Sequence, residues 1–427
     1  MKHFRIFLFL CVPIALLWLC SSCSNNDEEA APDDSEVRDM LPKAKCLDLS
    51  LKERTILQRC NTYSFQLLSS ISDGKKSVML SPVGVNNMLG MLGAGCNADG
   101  WETIHLKMLK TKVASYTFDC FCNKIITEAP NTDSQVKIEM ANVLIVNKGM
   151  PVLSDYTRTI GEYYNASALS LDFSSPGLVD EINKWASTNT HGYINKVVDK
   201  VNPEDKALLL SSLYFDANWT KQFDKDKTTD ELFNVADGVA YNMPMMHNTA
   251  LVLGGSTNTF SYIEMDYGSG IWSMYILLPD MGRSVNDVLA YLKDKGVRDL
   301  KSDLRPMEMQ LSIPKFSVSS TVDLKQAMQA NDGEALFDAN NPVVTKICDN
   351  DTPILLDNMY QCNHLDVNEE GTKLTAVTVS KGGDMYNPKD GKDKISRGIF
   401  NVNRPFVYLV TERTSGLALL VGTFTGN

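Results

Sequence analysis

One stretch near the C-terminus has the pattern of a strand that could be buried between two others: residues 367–382, which read VNEEGTKLTAVTVSKG. Side chains alternate between the two faces of a β-strand, so every second residue from Thr372 onward would share one face. That face carries no charge and no proline, whereas Lys373 and Lys381 fall on the opposite face, where their charges can remain in water. β-Branched residues are frequent on both faces, which favours strand structure. The inward-facing set is predicted to be Thr372, Leu374, Ala376, Thr378, Ser380 and Gly382.

The composition describes an acidic, folded chain of 427 residues. Asp and Glu number 52 against 41 Lys and Arg, which gives a net charge of −11, and loss of Lys2 and Arg5 with residues 1–22 would change it from −11 to −13. Such a balance argues against a surface for nucleic acid or for an anionic membrane. The hydrophobic share of 44% and the charged share of 22% are typical of a globular domain.

Residues 1–22 have the features of a secretory signal peptide. Lys2 and Arg5 precede an apolar run from Ile6 to Leu19, which is short for a bilayer span and is followed by small residues. The small residues before Cys23 resemble a bacterial lipoprotein cleavage site, although Cys20 stands where an aliphatic residue is usual. The acidic run over residues 27–29 resembles the surface-export tag of Bacteroidetes lipoproteins.

These features predict an exported protein that begins at a lipidated Cys23 and continues as an acidic, flexible tether over residues 23–48. The lipid would be its only link to a membrane, and we expect it at the bacterial outer membrane, on the cell surface. The alternative is an ordinary cleaved signal peptide and a secreted, extracellular protein.

No enzyme or metal motif stands out elsewhere. There is no glycine-rich phosphate loop, no Gly-x-Ser-x-Gly elbow and no paired-histidine motif. Cys120 and Cys122 are separated by one residue, which fits no zinc spacing, and the histidines are scattered. We therefore expect most cysteines to be buried apolar residues, and we expect neither a catalytic site nor a metal site.

Periodicity predicts helices mainly in the first half and strands in the second. A helix is expected over residues 56–71, and Ser81-Pro82 should open a second helix with serine as its N-cap. The pattern favours an α+β fold in a single domain over residues 49–427. Strands are predicted at 136–146, 207–215, 273–278, 308–313, 406–410 and 417–424, the last two as a hairpin.

Several motifs, taken in order along residues 50–427, resemble the serpin family. They include the helix after Ser81-Pro82 that continues through Met91-Leu92-Gly93-Ala94-Gly95, Ala141-Asn142-Val143-Leu144, Glu181-Ile182-Asn183-Lys184-Trp185 with Thr190-His191-Gly192-Tyr193-Ile194, Leu213-Tyr214-Phe215 with Trp219, Met243-Pro244-Met245-Met246, Val367-Asn368-Glu369-Glu370-Gly371-Thr372 and Arg404-Pro405-Phe406. The resemblance implies about nine helices around three β-sheets, with an exposed reactive-centre loop at about 369–403.

The resemblance also implies a function. A serpin is a suicide-substrate inhibitor of serine-type endopeptidases, whose cleaved loop inserts into the central sheet as a new strand. Family spacing from Gly371 places the scissile bond at Met385-Tyr386, which would suit elastase- or chymotrypsin-like proteases. The loop also offers lysines and Arg397 to trypsin-like proteases. The hinge and inserting segment would comprise Glu369, Glu370, Gly371, Thr372, Leu374, Ala376 and Thr378.

This sequence departs from the family pattern at two places. Leu374 and Thr375 stand where the hinge usually has alanines, and a bulky Leu374 could slow insertion. The polar cluster that controls opening of the sheet is usually built from serine, asparagine and histidine. Here the sheet-opening region would comprise Ser81, Ser211, Trp219 and Gln361, with Gly84 in place of a second serine. Gln361 and Ser211 could hydrogen-bond each other.

Two alternatives remain open at this point. The chain could be a non-inhibitory binding or scaffold protein of serpin fold, cleaved as a plain substrate, in which Thr372 to Ser380 is a fixed strand. It could also inhibit cysteine proteases, because the same acyl-enzyme logic applies to them. In each case we expect a monomer without a cofactor, whose partners are secreted or surface proteases and not nucleic acid.

Overall fold

The computed structural model describes residues 45–235, 239–349, 353–372 and 396–426. The predicted signal peptide, Cys23 and most of the predicted tether lie outside the described residues.

Eight α-helices occur in the described residues, together with short 3₁₀ and π segments. The helices are α1 Leu51–Ile71, α2 Pro82–Ala94, α3 Ala98–Glu102, α4 Ser115–Glu128, α5 Ser154–Tyr164, α6 Leu178–Asn189, α7 Val285–Ser302 and α8 Lys325–Met328. None of these helices is long and apolar enough to cross a bilayer.

The strands form two sheets. They are β1 Val78–Leu80, β2 Val136–Asn147, β3 Ala166–Leu171, β4 Ala207–Asn218, β5 Thr229–Asn234, β6 Ala240–Ser256, β7 Phe260–Tyr267, β8 Trp272–Pro279, β9 Arg305–Pro314, β10 Phe316–Asp323, β11 Leu356–Val367, β12 Gly371–Thr372, β13 Ser396–Asn401, β14 Phe406–Glu412 and β15 Ala418–Phe424.

The six-stranded sheet has the order β10-β11-β12-β4-β2-β3, and β4 also pairs directly with β11. The nine-stranded sheet has the order β1-β15-β14-β8-β7-β6-β9-β13, with β5 paired to β6. The helix α2 is buried along nearly its whole length and packs against β4 and β11. Every residue of β8, β14 and β15 is buried, so the nine-stranded sheet supplies much of the core.

The predicted α+β class is confirmed, and the predicted strands all occur, with ends that lie within three residues of those predicted. Ser81 caps α2, because its hydroxyl accepts a hydrogen bond from the Gly84 amide (3.1 Å), and Pro82 is the first helical residue. Two of the three expected sheets are continuous here. The reason is β6, which is 17 residues long and pairs with β5, β7 and β9 at different points along its length.

The folded unit begins earlier than the sequence suggests. The sequence predicts a tether over residues 45–48, but the Lys45 amide donates to the Thr132 carbonyl oxygen (3.0 Å), and Leu47 is buried, as is Leu49. Ser50 then opens α1 with a capping box to Glu53.

Candidate functional site

The strands β4 and β11 are the two neighbours that a central strand would have to separate. They run parallel and pair from Leu356 opposite Ala207 to Asn363 opposite Leu213. We call this junction the seam. Parallel pairing is slightly less stable per residue than antiparallel pairing, so the seam is the weaker kind of junction.

Above Asn363 the seam divides, and β12 occupies the gap. Thr372 pairs antiparallel with Ala217 of β4 on one side and with Val367 of β11 on the other. The first residue of the predicted inserting segment thus already lies between the two strands.

Gly371 stands where the chain enters this gap. A Cβ atom at this position would lie 2.2 Å from the Ala217 carbonyl oxygen and 2.5 Å from the Asn218 Cα. Both are backbone atoms that cannot rotate away, so only glycine lets the chain approach β4 this closely.

Thr372 faces inward, as the alternation from this residue onward requires. Its side chain is 1% exposed, and its hydroxyl is hydrogen-bonded to the Tyr267 hydroxyl on β7. A charged residue here would have neither solvent nor a counter-charge among these neighbours.

Trp219 lies directly beneath the turn that leads into β12. Its indole stacks on Tyr267 with ring centroids 4.2 Å apart, and its Nε1 donates to the Asn368 carbonyl oxygen (2.9 Å). Its backbone amide donates to the Glu370 carbonyl oxygen (2.8 Å). Trp219 therefore fastens the turn to the end of β4 as well as filling the core.

The two hinge glutamates differ in environment. Glu369 is 5% exposed; it accepts a hydrogen bond from the Thr228 hydroxyl (2.9 Å) and pairs with Lys315 (3.1 Å). Burial opposes ionisation of Glu369, but a hydrogen bond from its own backbone amide, together with the bonds from Thr228 and Lys315, outweighs burial and lowers the pKa of the carboxyl group. Glu370 makes an ion pair with Lys225 nearer the surface.

The lower seam is held from beneath by the N-terminus of α2. The Ser81 amide donates to Gln361 Oε1 (2.6 Å), and Gln361 Nε2 donates to the Ser81 carbonyl oxygen (3.0 Å). Asn363 Nδ2 also donates to Gln361 Oε1 (2.9 Å). The amide of Gln361 thus bonds to Ser81 rather than to Ser211, the partner suggested by the sequence.

Gly84 makes room for this arrangement. A Cβ atom at residue 84 would lie 2.6 Å from Gln361 Nε2 and 3.0 Å from Ser211 Oγ. Ser81, Ser211 and Gln361 are therefore brought together around Gly84, while Trp219 lies at the other end of the seam.

The remaining predicted site residues cannot be placed. Leu374, Ala376, Thr378, Met385, Tyr386 and Cys23 lie outside the described residues. Among the described residues no group of three or more His, Cys, Asp or Glu side chains could hold a metal ion. Five of the seven described cysteines are buried, as the sequence predicted: Cys60, Cys96, Cys122, Cys348 and Cys362.

Sequence reasoning missed several residues that hold the hinge. Tyr267, Thr228 and Lys315 reach it from β7, from the segment before β5 and from the link between β9 and β10. Nothing in their local sequence distinguishes them from ordinary residues of a strand or loop. Only the pairing of distant strands brings them to Glu369 and Thr372.

Comparison with known proteins places this geometry in a family. The family model described as "Serpin (serine protease inhibitor)" matches residues 58–426. Rat glia-derived nexin is 27% identical over 368 residues, covering 82% of this chain and 88% of the relative. Human heparin cofactor 2 is 23% identical over 382 residues, covering 86% and 74%, respectively.

Solved structures show the same fold. Tengpin, a thermophilic serpin in the native state, has a TM-score of 0.78 at 21% identity and covers 89% of this chain and 95% of its own. Thyroxine-binding globulin in complex with thyroxine has a TM-score of 0.76 at 20% identity and covers 87% and 98%. The family match spans most of the chain, from α1 to the end of β15, and the chain belongs to the serpin family.

Proposed function

We propose that this protein is a suicide-substrate inhibitor of serine-type endopeptidases, whose reactive loop inserts into the seam after cleavage. The observation that carries the proposal is the antiparallel pairing of Thr372 with both β4 and β11. The description of the family as serine protease inhibitors supports it.

Strand polarity gives the physical reason for insertion. A strand that continues from Thr372 down the seam would run antiparallel to both neighbours. One parallel junction would then be replaced by two antiparallel ones, and antiparallel pairing is the more stable kind. The uncleaved loop is tethered at both ends, so cleavage would release a conformation that is held kinetically.

Covalent trapping requires only the first step of the protease's normal reaction, which is acylation of its catalytic serine. The protease serine Oγ attacks the carbonyl carbon of Met385, the bond to the Tyr386 nitrogen breaks, and the serine proton passes to that nitrogen. An ester then links Met385 to the protease. Insertion of the strand before hydrolysis would trap this ester. A cysteine protease would form the corresponding thioester, so inhibition of that class is included as a secondary activity.

A second candidate function is a non-inhibitory binding protein that is cleaved as a substrate. The register of Thr372 predicts that Leu374 would arrive between Leu365 and Phe215, which are both buried. A bulky side chain there could delay insertion until the ester is hydrolysed. Thyroxine-binding globulin has the same fold, and its solved structure is a complex with thyroxine.

The test uses protein that begins at residue 24, which leaves every described residue in place. It is incubated with trypsin-, chymotrypsin- and elastase-like proteases and analysed on denaturing gels. We expect a protein–protease band that survives detergent, and mass spectrometry of the released peptide should locate the scissile bond. Clean cleavage without such a band for every protease, and without a rise in Tm after cleavage, would favour the substrate function.

We also propose that the protein is exported and anchored through a lipid on Cys23, facing outward from the cell surface, and that it acts there as a monomer. The apolar run 6–19 supports export, and the acidic residues 27–29 after Cys23 support the outward-facing anchor. Cys23→Ala should abolish incorporation of labelled palmitate and move the protein to the aqueous phase of a detergent partition, whereas Cys20→Ala should not. Unchanged labelling of Cys23→Ala would reject the anchor.

A further inference from the structure

A stacked pair of rings lies across the seam at the point where it divides. Tyr193, in the connection from α6 to β4, stacks on His364 of β11, with ring centroids 3.8 Å apart and planes within 13°. Asn363 is the last residue of β11 that pairs with β4, and His364 follows it directly. The stack thus lies just below the inserted Thr372.

The turn that carries Tyr193 straddles the seam. On one side, His191 packs on Tyr214 of β4, with centroids 4.2 Å apart, and bonds Glu139 of β2. On the other side, Ile194 belongs to a small apolar cluster with Ala186 of α6 and Cys362 of β11, and Tyr193 packs on His364. The two sets of contacts therefore belong to strands that must move apart when the seam opens.

His364 stacks on Tyr193 in an orientation that leaves one of its two ring nitrogens without a hydrogen bond among the described residues. Its Nδ1 is 2.8 Å from the Ser319 hydroxyl on β10, but its Nε2 is buried and has no hydrogen-bond partner among the described residues. Burial lowers the pKa of the imidazole to about 4, so the stacked ring is neutral. Burial raises the pKa of Tyr193, and the carboxylates of Asp366 on β11 and Asp216 on β4 raise it further.

We propose that Tyr193 and His364 form a clasp that holds β11 to the β4 side of the sheet and sets the rate at which the seam opens for the loop. This rests on the proposed function, because it concerns the step that follows cleavage. Separation of the strands breaks the stack before any new pair can form. The clasp therefore raises the barrier to opening without taking part in the inserted strand.

The test compares Tyr193→Ala with two matched controls. Tyr193→Phe keeps the ring, and no hydrogen bond of the Tyr193 hydroxyl is found among the described residues. His191→Ala removes a ring from the same turn, but one whose contacts stay on β2 and β4. Tyr193 is half-buried, so its replacement leaves the core intact.

Two rates are measured for each protein. The first is hydrogen exchange of the seam amides at 208–213 and 359–363. The second is uptake, by uncleaved protein, of a synthetic peptide with the sequence of residues 372–384, followed by native gels. Aromatic pairs of this kind are worth enough to change a rate about two- to tenfold. We expect both the exchange rate and the peptide-uptake rate of Tyr193→Ala to exceed those of the unsubstituted protein by that factor. The rates of the two controls should stay within about twofold of the unsubstituted protein.

The outcomes separate the clasp from the function on which it rests. If Tyr193→Ala exchanges and takes up peptide no faster than His191→Ala, the clasp is wrong, whether or not the protein traps proteases. If exchange is faster but no variant takes up peptide and cleavage brings no rise in Tm, the proposed function fails. The stack of Tyr193 on His364 would then hold the two strands together without controlling insertion of the loop, and the proposed role of the clasp would be wrong.

Discussion

The two ends of the seam are closed in different ways. At the lower end β4 and β11 pair directly, in parallel, from Ala207 to Leu213, and Gln361 ties β11 to the N-terminus of α2. At the upper end Thr372 lies between the strands and pairs antiparallel with both. The strands β4 and β11 are therefore separated by β12 at the upper end of the seam, whereas they still pair directly with each other at the lower end.

This difference indicates where control can be exerted. The upper end is already in the arrangement that a fully inserted strand would have, so changes there should alter whether insertion can start. The lower end must lose its present contacts, so changes there should alter how stable the closed sheet is. Four experiments follow, and Thr372→Arg and Gly84→Ala test this division directly.

The largest effect is expected for Thr372→Arg at the upper end. The residue is fully buried against Tyr267, and an uncompensated buried charge costs about 3–5 kcal/mol. We expect the detergent-stable complex to disappear and the protein to be cleaved as a substrate. Thr372→Ser, which keeps the hydroxyl group, should retain the complex. Normal complex formation by Thr372→Arg would contradict the inward assignment of this residue.

The next largest effect is expected for Gly84→Ala at the lower end. The added Cβ would lie 2.6 Å from Gln361 Nε2, and Gln361 is fixed by its bonds to Ser81 and Asn363. Overpacking of this kind costs about 1–3 kcal/mol of unfolding free energy. In the double variant with Gln361→Ala the clash is absent, so a urea-unfolding cycle should give strongly non-additive values. Additive changes in unfolding free energy would show that residues 84 and 361 are not energetically coupled.

A smaller effect is expected from pH. The pKa of His364 is lowered from 6.5 to about 4 in the closed sheet, so protons bind more readily once the ring is exposed. The neutral His364 ring therefore contributes its full stabilisation of the closed sheet above pH 6.5, and this contribution is lost as the pH falls from 6.5 towards 4. Opening should accelerate by at most about tenfold between pH 7.5 and pH 5.5.

Hydrogen exchange at the seam, corrected for the intrinsic pH dependence of exchange, measures this acceleration. His364→Phe keeps an aromatic ring that cannot titrate, and its corrected rates should be flat over the same range. An equal acceleration in His364→Phe would assign the pH dependence to other groups.

The smallest effect is expected for Glu369→Gln. It weakens one partly buried ion pair with Lys315 and should lower the unfolding free energy by about 1 kcal/mol. Its effect should be complete above pH 4.5 and should disappear as the pH falls below 4.5 through the lowered pKa, because the ion pair stabilises the fold only while the carboxyl group is ionised. Glu370→Gln, at the more exposed pair with Lys225, is the matched control and should change little. Equal losses in both variants would show that burial does not distinguish the two glutamates.

Much of the fold could be predicted, because local patterns specify it. Alternation located β2 and β9, apolar runs located β4 and the hairpin of β14 and β15, and Ser81-Pro82 gave the start of α2. The long strand β6 escaped prediction because Pro244 and the pair Gly254-Gly255 interrupt its pattern. Pro244 lacks an N–H to donate, but its carbonyl oxygen still accepts a bond from the Lys315 amide (2.8 Å).

The site was predictable only in part, for a related reason. The hinge could be located because it is contiguous in sequence, from Glu369 to Thr372. The bonds around Gln361 could not be assigned from residue type, since Ser81 and Ser211 both offer suitable atoms. Only the position of α2 beneath β11 decides that Gln361 meets the backbone of Ser81.

The contact between Gly84 and Gln361 also bears on how such a sequence can evolve. A lineage that acquires a serine at residue 84 while it retains glutamine at 361 would pass through a destabilised intermediate. A lineage that first shortens residue 361 would avoid it. The two positions should therefore covary among relatives, and an alignment would show glutamine at 361 accompanied by glycine at 84.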